Sequence, residues 1–437
     1  MIRARRARVL VVGSGAAGVA AALAAARNGA DTLLVESQGF VGGNSAILPW
    51  LGFHSRDYRL VVRGIALELA ERLRAIGAAS PIVLDPVCSS AMSLDGHRYK
   101  VLALELLGEA GARVMLQTHV VDVIRERDRI AGVVVEHKSG REVIEADVVI
   151  DCSGDGDVAA RGGVPWEKGR SGDGLIQAPT LVFRVGGVDR EAFVRGAQRL
   201  GGRFREMLAP YPDALTKFLA RLPDQPVIIV GGYHHLMEEA RRAGDLDVPP
   251  SRVVGVKPHQ PDQFIAVTTK VVAFDPTDVD VLTRAYLDAY AQIPPLLRFF
   301  RTYLPGFEHS YLLEIAPMIG TRESRRILGD YVLTGEDVMA GRVFPDVVAM
   351  GGYHIDIHQP DGRWVESRNV QPYDIPFRSL VARGRGELAD GGQVHFRHPR
   401  GDREHASDPH LYGRGAGSRD GCGTGGGVGE EPARRAH

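Results

Sequence analysis

Residues 9–18 read Val-Leu-Val-Val-Gly-Ser-Gly-Ala-Ala-Gly, and Glu36 closes the unit that they open. The apolar run from Val9 to Val12 suits a central parallel strand buried on both faces. Gly13, Gly15 and Gly18 carry the G-x-G-x-x-G spacing. The first allows a tight turn, the second lets backbone approach a pyrophosphate, and the third lets a helix pack on the strand. Ala16 to Arg27 propagates a helix well, and Asn28-Gly29 stops it. The free N–H groups and positive dipole end of that helix, around Ser14, Ala16 and Ala17, face the phosphates. Asp31 to Val35 makes a second strand ending at Glu36, whose carboxylate accepts both ribose hydroxyls. Together these features predict a dinucleotide-binding unit rather than an Ala/Gly-rich packing helix. Glu36 would also repel a ribose 2′-phosphate, which argues against NADP.

Ser37-Gln38-Gly39-Phe40-Val41-Gly42-Gly43-Asn44-Ser45 follows directly. A second glycine pair there lets backbone come close to a ligand continuing past the pyrophosphate, as a flavin does; the alternative is an ordinary turn. The apolar spacing predicts an amphipathic helix over 60–76 and another from Tyr99 to Ala110. Val114–Leu116, Val120–Ile124, Ile130–Glu136 and Arg141–Ile144 read as short strands of a small antiparallel insertion. Val148 to Asp151 returns as a buried strand running into Cys152-Ser153-Gly154-Asp155-Gly156-Asp157. Such a junction brings backbone to the cofactor a second time, at the carboxyl edge of the sheet.

With these pieces in place the chain resembles flavoproteins whose FAD-binding domain is like that of glutathione reductase. More narrowly, it resembles bacterial FAD-dependent oxidoreductases distantly similar to the flavoprotein subunits of fumarate reductase and succinate dehydrogenase. Two further matches are Ile319-Gly320-Thr321-Arg322-Glu323-Ser324-Arg325-Arg326 and Asp374-Ile375-Pro376-Phe377-Arg378-Ser379-Leu380. The resemblance implies FAD as cofactor and a hydride passing between a small organic substrate and flavin N5. It places cofactor contacts at Gly13 to Gly18, Glu36, Ser37, Gly42, Gly43, Asn44, Ser45, Ser153, Gly154 and Asp155, with the backbone of Val120 at the adenine. It also puts His54 near the flavin, gives Arg322 the task of holding or polarising the substrate, and leaves a nearby His or Arg to move a proton, with His54 and His358 as the catalytic candidates beside Arg322. A dicarboxylate or ketosteroid-type flavin dehydrogenase is an alternative, although Ala46-Ile47-Leu48-Pro49-Trp50 departs from the further glycine pair of those enzymes. An iron–sulfur electron-transfer subunit needs clustered cysteines, which are missing. A truncated flavoprotein that only binds nucleotide is the non-catalytic alternative.

The implied fold class is α/β. A Rossmann-like FAD-binding domain comes first (1–164), then an α+β substrate domain (165–315). A return to the FAD domain with active-site loops (316–384) precedes an irregular tail (385–437). The middle has strand-like runs at Leu181–Val185, Val227–Val230 and Phe264–Phe274, and a helical pattern from Val279 to Leu304 interrupted near Pro294-Pro295. Arg322, Arg325 and Arg326 suit either bidentate capture of a substrate carboxylate or a structural ion-pair cluster. His354, Asp356 and His358 alternate along an extended segment and so share one face. That face suits a metal, a substrate-facing His358 or plain packing; no metal site is assigned.

The formal net charge of −1 gives no general pull toward nucleic acid or anionic lipid. Cys88, Cys152 and Cys422 form neither a disulfide framework nor a metal knuckle, which fits a reducing compartment. Arg3-Ala4-Arg5-Arg6 before an alanine-rich run resembles a secretory signal, but cleavage would remove the glycine fingerprint, so the expectation is cytoplasmic. The expected partners are a small-molecule substrate and an electron acceptor of unknown identity; a homo-oligomer is compatible with this. From Arg385 the hydrophobic periodicity stops and Gly, Arg, His and Asp dominate. Relatives continue instead with an apolar strand, a glycine turn and a small-residue helix that closes on the flavin. Codons permitted for Glu387 through Thr424, read one frame over, allow that missing end. The face-value reading is a disordered, low-complexity tail; the preferred expectation is a frameshift near Gly384, in the gene or its sequencing.

Overall fold

The structure, a computed structural model, describes residues 3–48, 50–86, 88–127, 129–170, 172–200, 203–358, 360, 365–384, 388–390 and 396–397. Val9 to Val12 end the strand β1 (Arg3–Val12), and all four are buried. Helix α1 (Ala16–Arg27) follows and ends at Gly29, whose φ of +80° suits a residue without a β-carbon. Strand β2 (Thr32–Val35) runs parallel to β1, with Val12 level with Val35. Helices α2 (Ile65–Ala75) and α3 (Gly96–Glu109) join α1 in one buried cluster on a single face of the sheet. The predicted helix over 60–76 starts only at Ile65, because Gly64 takes φ +63° just before it.

Strand β3 (Arg113–Met115) lies parallel to β2 at the sheet's edge. Strands β4 (His119–Glu126), β5 (Arg129–His137) and β6 (Gly140–Asp151) form an antiparallel meander. The sheet order is β3-β2-β1-β6-β5-β4. Two expected strands, Arg141–Ile144 and Val148–Asp151, are therefore halves of one β6, since no glycine or proline breaks the run between them. Because β6 pairs with β1 along its length and with β5 over its first half, the expected insertion is an extension of the central sheet.

Strands β7 (Phe183–Gly186), β8 (Ile228–Gly232), β9 (Val253–Lys257), β10 (Phe264–Ala266) and, after helix α4 (Val279–Tyr303), β11 (Tyr311–Ile315) form a second, antiparallel sheet. Its order is β8-β9-β10-β7-β11. Phe183 stacks on Phe300 with ring centroids 5.9 Å apart, joining sheet to α4. Each such ring removes a large apolar area from water, on the order of 2 kcal/mol. The expected strand 264–274 ends at Ala266, because Thr268 and Thr269 turn their hydroxyls onto the backbone of Val254 and Leu181. Helix α4 runs unbroken through Pro294 and Pro295; Leu296, Phe299 and Phe300 beyond them are buried and hold the same face on the core.

Strand β12 (Ile355–His358) pairs only with β13 (Val365–Arg368) among the described residues. The Ile-Pro segment forms a buried strand, Tyr373–Pro376, and Arg378 beyond it pairs with Asp346 and lies over the Tyr331 ring. The chain then reaches β14 (Leu388–Asp390), which pairs in parallel with the end of β6, Leu388 level with Val149. Leu388 is wholly buried. The expected tail thus begins inside the sheet: these three residues take a strand position there. Phe396 and Arg397 pair in parallel with Leu333 and Thr334; the other residues of that tail, His395, His398 and Cys422 included, lie outside the described residues. No helix of the described residues is long and apolar enough to cross a membrane.

Candidate active site

The carboxyl ends of β1, β2 and β6 finish level with one another, Val12 standing beside both Val35 and Asp151. The turn leaving β1 is tied to both neighbours: Gly13 N–H donates to the Val35 carbonyl (2.8 Å) and Cys152 N–H to the Val12 carbonyl (2.7 Å). Gly13 has φ +90°, and a β-carbon there would run into the Cys152 carbonyl. A β-carbon on Gly18 would run into the Gly13 carbonyl, so α1 crosses the turn in direct backbone contact. Gly15 is different: nothing stands within 4 Å of the place its β-carbon would take. The second glycine pair closes over this turn. Gly42 N–H donates to the Ser14 carbonyl at 2.7 Å, and Gly43, with φ +48°, would bring a β-carbon to 3.0 Å from the Gly15 α-carbon. Tyr99 lies against Gly42 and bonds Ser45; burial pushes its hydroxyl up to about 12.

Glu36 is buried at the end of β2, with both oxygens engaged. Oε2 accepts from the Ser14 N–H (2.7 Å) and Ser14 hydroxyl (2.6 Å). Oε1 accepts from the Gln38 N–H (2.7 Å) and Ser37 hydroxyl (3.0 Å). The two N–H groups fix the carboxylate, whereas the hydroxyls are rotors that can turn away and leave one acceptor position on each oxygen. Val120 sits partly buried in β4, opposite Val135.

At the β6 junction, Asp151 accepts from Ser153 N–H and hydroxyl and from Ala159 N–H, which shapes the turn. Gly154, at φ +86°, faces open space. Burial pushes the neighbouring Asp155 carboxyl up to about 6, with Asp157 and Asp151 adding to the effect and Ser324 and Arg325 opposing it. Arg325 clasps this turn from outside, donating to the Asp155 carbonyl (3.0 Å) and to Asp157 (2.9 Å). Arg326 donates to the Gly169 carbonyl. Both arginines therefore serve structure.

Arg322 does not. It lines a cavity of about 100 Å³ between the second sheet, the segment after the Gly42–Ser45 loop and β12. One wall is apolar: Leu48, Trp50, Ile229, Val254, Val256 and Val267. The lining also includes Arg322, Arg252, Asp356, His358 and Tyr353, with Cys88 3.7 Å from the Tyr353 hydroxyl. The Arg322 guanidinium donates to the Thr180 hydroxyl at 3.1 Å, and its buried Nε has no acceptor. No carboxylate among the described residues pairs with it. Burial and the Arg322 charge push His358 down to about 4, against the attraction of Asp356 3.4 Å away.

A family described as FAD dependent oxidoreductase matches residues 8–390. The chain belongs to it. A thiamine thiazole synthase of Aeropyrum pernix is 30% identical over 232 residues, covering 46% of this oxidoreductase and 80% of that protein. Among solved structures, a geranylgeranyl bacteriochlorophyll reductase-like protein of Thermoplasma acidophilum matches with a TM-score of 0.44 and 16% identity, over 72% of this chain and 66% of that one. The chain thus spans just under two thirds of that first structure. The p-nitrophenol 4-monooxygenase of Pseudomonas putida gives a TM-score of 0.44 and 13% identity, over 74% of this chain and 69% of that one.

The residues of this FAD-dependent oxidoreductase fit its cofactor. Gly15 leaves the space that backbone approach to a pyrophosphate needs, at the N-terminus of a twelve-residue helix. Glu36 is anchored to offer two acceptor positions to a ribose. Gly154 presents bare backbone at the β6 junction, and Gly43 packs on the turn at Gly15. Of the residues expected at the substrate, Arg322 and His358 meet in one cavity. His54 stands off its walls, in a bridge to Leu60 with its N–H on Ser90, and burial lowers its pKa. His354 precedes β12 and stacks on Tyr353 instead of sharing the face of Asp356 and His358. The described residues hold no group of three or more His, Cys, Asp and Glu that could bind a metal. Sequence reading missed Gln177, Thr180, Arg252 and Tyr353, which carry no motif and meet only through folding.

Proposed function

We propose that the cavity beside Arg322 is the substrate site and that the substrate is an organic acid with an apolar body, its anionic group on Arg322. One observation carries this: a half-buried guanidinium whose Nε is shut off from solvent without an acceptor, held by a single hydroxyl and paired with no carboxylate among the described residues. A cation withdrawn from water without a counter-charge is costly unless a ligand supplies one. The cavity is also polarised along its length. Val254 accepts from the Val267 N–H, so Arg252 lies toward Thr269, whose hydroxyl bonds Leu181 next to Thr180. Both arginines thus sit at one end, while Ile229 and Val256, opposite each other in register, lie at the other.

FAD, when bound, supplies the two-electron partner that exchanges a hydride with the substrate at N5. Arg322, steadied by Thr180, orients the acid. The aliphatic wall excludes water around the reacting carbon. His358 moves the proton, and its low affinity for one comes from burial first, then the Arg322 charge, with Lys270 adding to it. A bound anion offsets the second, so His358 becomes a better proton acceptor when the site is filled. Two arginines would also suit a dicarboxylate; the length of aliphatic wall favours a single acid. The widely spaced cysteines support a cytoplasmic setting.

The test is a titration of the FAD-loaded protein with butanoate and octanoate, followed by flavin absorbance. Octanoate is expected to bind about tenfold or more tighter, since each buried methylene contributes about 0.8 kcal/mol. Arg322→Gln is expected to lose about 30-fold or more of that affinity. Equal binding by wild type and Arg322→Gln would overturn the reading.

A further inference from the structure

We infer that Gln177 is the positioning residue that holds His358 in the substrate cavity, with Glu323 setting the orientation of its carboxamide; the catalytic sense of this rests on taking that cavity as the substrate site. Gln177 is buried between the two segments that build the polar end, at 2% exposure. Its Nε2 donates to Glu323 Oε2 at 3.0 Å, and its Oε1 accepts the backbone N–H of His358 at 2.9 Å. A carboxylate only accepts and a backbone N–H only donates, so the carboxamide has one permitted orientation. Glu323 follows Arg322 in the chain and is itself 2% exposed. One side chain therefore ties the segment bearing Arg322 to the strand bearing Asp356 and His358.

The tie is needed because, among the described residues, β12 belongs to a two-stranded ribbon and has no place in either large sheet. An isolated ribbon of this kind is marginal by itself. The groups that act electrostatically on His358 come from separate elements: Arg322, Asp356 on its own strand, and Lys270 below α4's Gln292. Their distances to the imidazole, and so its protonation, depend on where the end of β12 is pinned. Gln177 pins it at His358 itself.

A nearly isosteric variant that adds an ionisable group separates this from mere packing. In Gln177→Glu, a protonated carboxyl can donate to Glu323 and accept from the His358 N–H, as the amide does. Once that proton leaves, two carboxylates face each other and the arrangement breaks, because neighbouring like charges cannot both ionise cheaply. Gln177→Leu breaks it at every pH.

The experiment uses the FAD-loaded full chain and follows the His358 Cε1–H resonance by NMR, identified by its loss in His358→Asn. Wild type is expected to titrate near 4, as burial and Arg322 dictate. Gln177→Leu should move that value up by about one unit or more, toward the ordinary histidine range. Gln177→Glu should match wild type in octanoate affinity at low pH and fall about tenfold below it at high pH. An unchanged His358 titration in Gln177→Leu, or a Gln177→Glu variant whose affinity follows the wild-type pH profile, would overturn the inference. Should octanoate fail to bind wild type, the cavity reading falls while the His358 titration still decides the role of Gln177.

Discussion

Gly43 is seated on Gly15: a β-carbon on the one would stand 3.0 Å from the α-carbon of the other. The second glycine pair is thus fitted to the nucleotide turn, with Tyr99 closing it from behind. Around this contact the glycines divide by purpose. Gly13 and Gly18 are small because protein backbone crosses them, whereas Gly15 and Gly154 have nothing within 4 Å of the place their own β-carbons would take.

Gly18→Ala should therefore damage the fold itself. Its methyl would collide with the Gly13 carbonyl, and the helix must shift off the strand. A loss of about 1–3 kcal/mol is expected, the usual cost of overpacking. Thermal unfolding of the FAD-free protein measures it; an unchanged Tm would show that α1 does not cross β1 as described.

Glu36→Gln replaces two acceptors by one acceptor and one donor. The amide would then turn its N–H₂ toward either the Ser14 or the Gln38 N–H, donor against donor. FAD binding should weaken about 10- to 100-fold, the worth of one or two charge-assisted hydrogen bonds. Fluorescence titration with FAD checks this, with NADP as a control ligand expected not to compete.

Two carboxyl and imidazole shifts give opposite pH signatures. Asp155 is raised to about 6 when folded, so the native state binds the extra proton. Its ionised form weakens the fold above pH 6, and that penalty fades as pH falls toward the ordinary carboxyl value. Asp155→Asn should raise Tm at pH 7.5 and give no gain near pH 4. His358 is lowered to about 4, so the unfolded state holds the proton. Its contribution is neutral above the ordinary histidine value and destabilising as pH falls from there toward 4, by a total on the order of 3 kcal/mol. His358→Gln should relieve acid sensitivity in that window alone. Melting curves across pH would show the two changes acting in different ranges.

The sheet position beside β6 gives a further test. Leu388 is buried against Val149's strand, and its carbonyl accepts the Ala382 N–H at 3.0 Å. Leu388→Asp should cost about 2–4 kcal/mol, as burying an unpaired charge does. The expected frame change near Gly384 predicts an inserted or deleted base in repeated DNA reads there. It also predicts that a frame-restored chain holds FAD about tenfold or more tighter than this one. Equal yellow colour in both purified chains would show the present tail to be sufficient.

The nucleotide unit was legible because its constraints are local: strand, turn, helix and acid lie within Val9 to Glu36. Gly42-Gly43 was legible for the same reason. The length of β6 was not, since Ala146-Asp147 reads as a turn until Arg5 to Val9 of β1 run alongside it. The unbroken α4 was hidden as well. Two prolines argue for a stop, and only the buried Leu296, Phe299 and Phe300 show why the helix continues. Arg322 could be named but not separated from Arg325 and Arg326. What separates them is the carbonyls and carboxylates that fold back to meet the latter two. Gln177 carried no signal, since its role needs Glu323 and His358 brought together from distant positions.

The most direct measurement is FAD titration of Gly15→Val beside wild type, with Tm of both FAD-free proteins recorded. Gly15 has open space and an ordinary φ of −60°, so the variant should fold with an unchanged Tm. Its FAD affinity should fall about 100-fold or more, because the valine fills the place the pyrophosphate needs. A variant that folds normally and binds FAD as tightly as wild type would contradict a cofactor held by these glycine-lined edges.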